Sequence, residues 1–329
     1  RVEDIERFVR HNAARGVKHY FITDDDFARN LEWESIFDCF IRLREDEGIA
    51  LNIVVQVDAM CHRIPGFIDK AARAGVHKVF IGIESLNPEA LASARKKQNR
   101  VAEYRTLLQR WREGRVATFA GIILGFPNDT PDGIRRDIDT LKRELPVDTV
   151  EIFNLTPLPG SEDHKQMVER REWMEPDLNA YDLHHVTRGH SRMSLEEWKR
   201  AYAEAWRSFY SFEHIQTLMY RARATGMCTR RSLRMSFHYA VSFLVEGVHA
   251  PESGFLRRKY RRDRRPGVPR ENPCVFYPRY AWTLVSAQAR LVWFYWRCVR
   301  LARAVERDPD ARAYSDASLA HTADIDPVA

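Results

Sequence analysis

The stretch "HYFITDDDFARN", residues 19–30, passes from an apolar run into three consecutive carboxylates. An apolar run of strand length that ends in a polar cluster reads as a buried strand followed by a loop. The same switch recurs downstream. Residues 50–57 ("ALNIVVQV") run into "DAMCH", residues 78–83 ("KVFIGI") into "ES", residues 117–124 into "GFPNDTP", and residues 149–155 into "TPLPGS". Helical patterns are expected between them, over residues 2–14, 33–47, 65–74, 101–113 and 132–145. Strands that are apolar on both faces and joined by single helices imply a parallel sheet covered by helices. An open sheet would gather its ligand contacts at one switch point. Five successive polar loops instead suggest a partial barrel whose strand ends share one site.

The 329 residues carry a formal net charge of +6, much of it in "RRKYRRDRR", residues 257–265. That distribution suits a local anionic partner better than a global one. The five cysteines (Cys39, Cys61, Cys228, Cys274 and Cys298) are widely spaced, odd in number and in no ligand-like cluster. They read as reduced thiols of a cytoplasmic protein, not as a disulfide framework. The sequence opens at Arg1 on a helical pattern, which suggests a piece of a longer protein. Residues 1–160 are expected to form the barrel part, and residues 161–226 an associated loop with helices. Ser194 with Glu197 forms a capping box there. Residues 227–307 read as a basic, aromatic helical region, and residues 308–329 as a disordered tail.

Four segments in order, "FITDDDFARN", "FIGIESLNPEALASARKKQN", "GIILGFPNDTPDGIRRDI" and "FNLTPLPGSEDH", resemble the radical S-adenosylmethionine (SAM) superfamily, and within it the cobalamin-binding subclass. The resemblance implies an α/β fold, a partial (β/α)6 TIM-like barrel of which strands 2–6 are present, followed by a helical C-terminal region. It also implies an enzyme that reductively cleaves SAM at a [4Fe-4S] cluster. An external electron donor feeds that cluster, and cobalamin-dependent methyl transfer or rearrangement of a small-molecule or lipid-like substrate is the expected outcome. The family's three-cysteine loop is absent, so the cluster ligands and the cobalamin domain are expected upstream.

Carried over residue by residue, the resemblance places Asp24, Asp25 and Asp26 near the SAM ammonium, where carboxylates suit a cation. Glu84 and Ser85 are expected at the methionine or ribose part, and Lys96 at the carboxylate. Ile123, Leu124 and Gly125 are expected on one side of the adenine, with Leu155, Thr156 and Pro157 on the other. No catalytic residue is assigned. If the strand after Tyr20 runs far enough, alternation directs Asp24 and Asp26 to one side and Asp25 to the other.

Asp58, His62, His184 and His185 are candidate substrate contacts. With His190, the last two invite a metal reading, but spacings of one and five do not align ligands on one helix face. In "YAWTLVSAQARLVWFYWRCVRLARAV" arginines interrupt the apolar residues, which disfavours a spanning helix. A helix packed on the barrel is the plainer reading and an interfacial membrane helix the bolder one. No nucleic-acid module stands out. Two other function classes stay open. One is a metal- or phosphate-dependent barrel enzyme using Asp24 to Asp26, and the other an inactive SAM-fold protein that docks on membranes.

Overall fold

The computed structural model describes residues 1–93, 101–248, 250–254, 258–264 and 267–320. Five strands, β1 (His19–Phe21), β2 (Asn52–Val57), β3 (Val76–Glu84), β4 (Ala117–Leu124) and β5 (Thr149–Asn154), form one sheet in the order β1-β2-β3-β4-β5, every pair parallel. The sheet curls into a half-barrel surrounded by helices, as the recurring strand-and-helix pattern implies. Helices α1 (Val2–Ala13), α2 (Trp33–Glu45), α3 (Phe67–Ala74), α4 (Pro88–Ser93), α5 (Val101–Glu113) and α6 (Pro131–Glu144) belong to the crossovers. The C-terminal part adds α7 (Glu162–Glu169), α8 (Leu195–Phe209), α9 (Phe212–Ala224), α10 (Thr229–Leu244) and α11 (Pro273–Arg307).

The convex side of the sheet holds the main apolar core. Ile53, Val55 and Val57 of β2 and Val79, Ile81 and Ile83 of β3 are buried against helices. There Phe37 and Phe67 meet Phe27, whose ring lies 5.0 Å from that of Phe37, and Trp111 packs on Phe67. Phe27 is 1% exposed and anchors the loop after β1. A buried ion pair ties α5 to the base of the sheet. Arg112 donates to Asp148 at 2.5 Å, and the other Asp148 oxygen accepts from the Thr118 backbone N–H and hydroxyl. Every polar atom of that carboxylate thereby has a partner, which burial of a charge requires.

In the trough of the half-barrel, α10 lies against the sheet. The Tyr239 ring is 4.8 Å from the Phe119 ring, and the Tyr239 hydroxyl accepts from Lys78 Nζ at 3.0 Å. Burial lowers the Lys78 pKa to about 8.

Two boundaries differ from the sequence reading. The first strand was expected over residues 18–23 but pairs only through Phe21, because β1 is an edge strand. After the last ladder bond, Ile22 N–H to Val54 C=O, the Asp24 carboxylate captures the Asp26 N–H and turns the chain. The tail, expected to be disordered from Asp308, is packed through residue 320. Asp316 pairs with the buried Arg221 at 2.7 Å, Tyr314 stacks on Tyr220, and Gln109 donates to the carbonyls of Ser318 and Ala320. One buried guanidinium needing a counterion outweighs the polar composition of the segment.

His214, on α9, is 4% exposed, with its ring 4.8 Å from Phe209. Burial depresses its pKa to about 3, so the folded state holds the neutral imidazole. An unfolded histidine titrates near ~6.5. Between those values the unfolded chain binds a proton that the folded chain refuses, so the stability contribution is complete above the unfolded pKa and is lost as pH falls. Urea denaturation at stepped pH is expected to show stability dropping below pH ~6.5, with a shallower drop in His214→Phe. Equal slopes in the two proteins would contradict this.

Candidate active site at the carboxyl ends of the strands

The loops after the five strands lie along one rim, where the sequence analysis expects the site. At the β1 and β2 end of that rim the carboxylates are held by the protein itself. Asp24 accepts from the Asp26 N–H at 3.1 Å and from the Asn30 amide at 2.8 Å. Asp26 accepts from the Asp58 N–H at 3.1 Å. Arg29 donates twice to one Asp58 oxygen, at 2.9 and 2.6 Å, and lies 3.7 Å from Asp26. Burial, and next the neighbouring Asp58 charge, push the Asp26 pKa up. Asp24 and Asp26 are half-buried and Asp25 is exposed. The expected alternation is therefore present, but a turn produces it and not a strand. Arg29 is the residue that the sequence reading missed here; its position three after Asp26 in a short helical turn was the available signal.

At the β3 to β5 end the rim opens into a cavity of about 530 Å³. Its walls include Glu84 from β3, Ile123 from β4 and Leu155 just after β5, three of the residues that the resemblance selects. The volume is that of a typical small-molecule pocket, and apolar walls with a few polar groups are the usual composition. Glu84 ends its strand at φ +67°, next to a register shift between Gly82 and Glu84. A left-handed backbone at a non-glycine residue is a strained conformation, which elsewhere clusters at functional sites. The far wall is α7, through Asp163, Gln166 and Met167, followed by Arg170. Arg188 completes the lining, placed by an isolated bridge between Met174 and Arg188. Residues 161–226 are expected to form a loop with helices, but no helix is expected at 162–169. The Ser161 cap, which accepts from the His164 N–H, and the acidic first turn of Glu162 and Asp163 were the signals for this helix.

The other selected residues hold different positions. Ser85 is buried, and its hydroxyl accepts from the Asn87 N–H. Leu124 is in the core and Pro157 is buried, while the Thr156 hydroxyl donates to the Asn154 carbonyl. Gly125, expected beside the adenine, makes room for Trp198 of α8. A Cβ built on it would lie 1.8 Å from the indole. Lys96 lies outside the described residues.

Nor does the structure bring the four candidate substrate contacts to the cavity lining. Asp58 is engaged by Arg29, and His62 lies 3.4 Å from Glu103, with burial lowering its pKa. His184 hydrogen-bonds the Tyr202 hydroxyl among Trp206 and Phe243, and His185 pairs with Asp182 at 2.8 Å. His190 meets the Phe126 carbonyl at 2.8 Å, which fixes the loop below the cavity.

The donor chemistry separates the two implied cofactors. A cavity with three carboxylates (Glu84, Asp163 and Glu172), two guanidinium groups and the apolar walls of Ile123, Leu155 and Met167 fits SAM, which carries an ammonium, a sulfonium, a carboxylate and an aromatic base. An iron-sulfur cluster fits less well. Cys39, Cys61 and Cys298 are buried, Cys228 and Cys274 are exposed, and the described residues contain no group of three His, Cys, Asp or Glu poised to hold a metal.

Residues 1–141 match the family model described as the radical SAM superfamily. Bacteriochlorophyllide d C-12(1)-methyltransferase of Chlorobaculum tepidum is 27% identical over 158 residues, which are 47% of this chain and 33% of that protein. The chain thus spans about a third of the length of this curated relative. Among solved structures, the radical SAM methyltransferase TsrM from Kitasatospora setae, with cobalamin and a [4Fe-4S] cluster bound, superposes with a TM-score of 0.41 at 20% identity, over 51% of this chain and 31% of that one. OxsB, a cobalamin-dependent SAM radical enzyme, gives 0.45 at 12% identity, over 97% and 52%.

Proposed function

We propose that this chain, whose residues 1–141 match the radical SAM superfamily model, is the SAM-binding part of a radical SAM enzyme that transfers a methyl group to a lipophilic small molecule. The observation that carries the reading is the cavity that gathers Glu84, Ile123 and Leu155 from three successive strand ends. Methyl transfer and a lipophilic acceptor are supported by the name of the curated relative.

In this reading the chain's own residues bind and orient. The Ile123 and Leu155 side chains flank the adenine and keep water from it. The Glu84 carboxylate takes the ammonium or the ribose hydroxyls, and Arg170 and Arg188 are at hand for the SAM carboxylate. A charge-assisted contact at each end fixes the direction of the molecule. The carboxylate of Asp24 is engaged within its own loop and that of Asp26 by the Asp58 N–H of the next loop, so this pair of loops borders the site and the exposed Asp25 faces solvent. When bound, SAM supplies a carbon radical on one-electron reduction. The described residues offer no cysteine set for the cluster that delivers the electron, so its ligands, and the cobalamin expected to carry the methyl group, are assigned to other parts of the protein.

A metal-dependent enzyme built on Asp24 to Asp26 has less support. Both Asp24 oxygens are taken by the Asp26 N–H and Asn30, and Arg29 already supplies the cation between Asp26 and Asp58. No helix among the described residues is long and apolar enough to cross a membrane. A cytoplasmic location, with a peripheral membrane contact through α11, belongs to the same reading.

The test is anaerobic reconstitution of the full-length protein with iron and sulfide, followed by reduction in the presence of SAM. Formation of 5′-deoxyadenosine or S-adenosylhomocysteine is expected. Neither product from a cluster-loaded protein would overturn the proposal.

A further inference from the structure

Helix α11 is 35 residues long and presents two opposite faces. One face packs on the domain through Phe276, Leu291, Phe294, Cys298, Ala302 and Val305, all buried. On the other side Val275, Pro278, Trp282, Val285, Ala289, Val292 and Trp296 recur at alternating spacings of three and four, and all are exposed. At 3.6 residues per turn that spacing is one continuous stripe. Trp282 is 73% exposed and Val285 and Val292 are 63% exposed. Trp293 and Tyr295 widen the stripe, both more than half-way out of the domain's own packing.

The charge along the helix is predominantly positive, six arginines against the single Glu306 near its C-terminal end. Between Pro273 and Val305 there are five arginines, Arg279, Arg290, Arg297, Arg300 and Arg303, and no aspartate or glutamate. The guanidinium of Arg297 lies over the Phe212 ring at 4.3 Å, and that of Arg300 over Trp296 at 4.7 Å. Exposed Arg258, Lys259, Arg262 and Arg264 precede the helix.

We infer that the exposed face of α11 docks, parallel to the surface, on a membrane rich in anionic lipid. Trp and Tyr favour the headgroup level, where an apolar ring and a polar edge are both satisfied. Arginines beside them meet lipid phosphates with charge-assisted bonds, and between Pro273 and Val305 no carboxylate repels the surface. At 1.5 Å per residue the helix offers a line of contact about 50 Å long. It is too polar to span, so it lies on the bilayer. Self-association is the disfavoured occupant. Two copies of this face would bring together twelve arginines with only one glutamate, Glu306, from each helix to offset them.

The inference is independent of SAM binding, because vesicle flotation reads neither SAM nor its cleavage. The 329-residue chain is floated with phosphatidylcholine vesicles, with and without phosphatidylglycerol, at low and high salt. Binding at least about tenfold stronger to the anionic vesicles is expected, weakening with salt. Val285→Asp with Val292→Asp, at exposed positions that leave the fold intact, is expected to abolish it, and Arg300→Glu with Arg303→Glu to remove the lipid preference. No flotation of the wild type, or equal flotation of the aspartate variant, would overturn the inference. So would a dimer, seen by light scattering, that the aspartate variant disperses and vesicles leave intact.

Discussion

Gly125→Ala will destabilise the chain by about 4 kcal/mol or more, or prevent its folding. Two independent costs meet at this residue. Its φ of +102° is a conformation that L side chains rarely adopt. The added Cβ would also lie 1.8 Å from Trp198 Cζ2, and Trp198 is fully buried. An exposed side chain could swing aside, but this indole is held by the His190 ring at 5.4 Å and by its own helix, which begins at the capping box of Ser194 and Glu197. The backbone must move instead. The loop that would move is fixed by Asp129, which accepts from the Gly125 and Phe126 N–H groups at 2.8 and 3.0 Å. Chemical denaturation reads the effect directly. A variant within ~1 kcal/mol of wild type would show that α8 does not press on this loop.

That glycine also shows where sequence reading succeeds and where it stops. The five strands and their helices were legible because each apolar run is bounded by turn chemistry and its length suits a strand. The purpose of Gly125 was not. Nothing in "GFPNDT" announces that a tryptophan more than seventy residues later packs against this glycine. Gly121 has a similar history, since a Cβ there would meet the Phe80 ring at 2.8 Å. Asp24 to Asp26 were correctly placed at the end of a strand, yet their partners, Arg29, Asn30 and Asp58, emerge only once β1 lies beside β2. His184 reads in the sequence as a candidate substrate contact. It is packed under α8 because Asn154 of β5 captures its carbonyl at 2.7 Å and carries the segment inward.

The largest functional effect is expected at the cavity. Ile123 and Leu155 lie on adjacent strand ends, where Leu155 N–H donates to the Leu124 carbonyl at 2.8 Å. A tryptophan at either position fills space that the adenosyl group needs, and both side chains are only half-buried, so the larger residue has an exit toward solvent. Affinity for SAM is expected to fall at least about a hundredfold, or ~2.7 kcal/mol, with the fold retained.

Saturation-transfer NMR and calorimetric titration of the chain with SAM test the central claim most directly, using wild type, Ile123→Trp and Leu155→Trp, each checked for a native circular-dichroism spectrum. The account predicts saturable binding to the wild type, with strong transfer to the adenine protons, and loss of both signals in the two tryptophan variants. Wild-type affinity in both variants, or no binding of SAM by the wild type, would contradict the assignment of the β3 to β5 cavity as the SAM site.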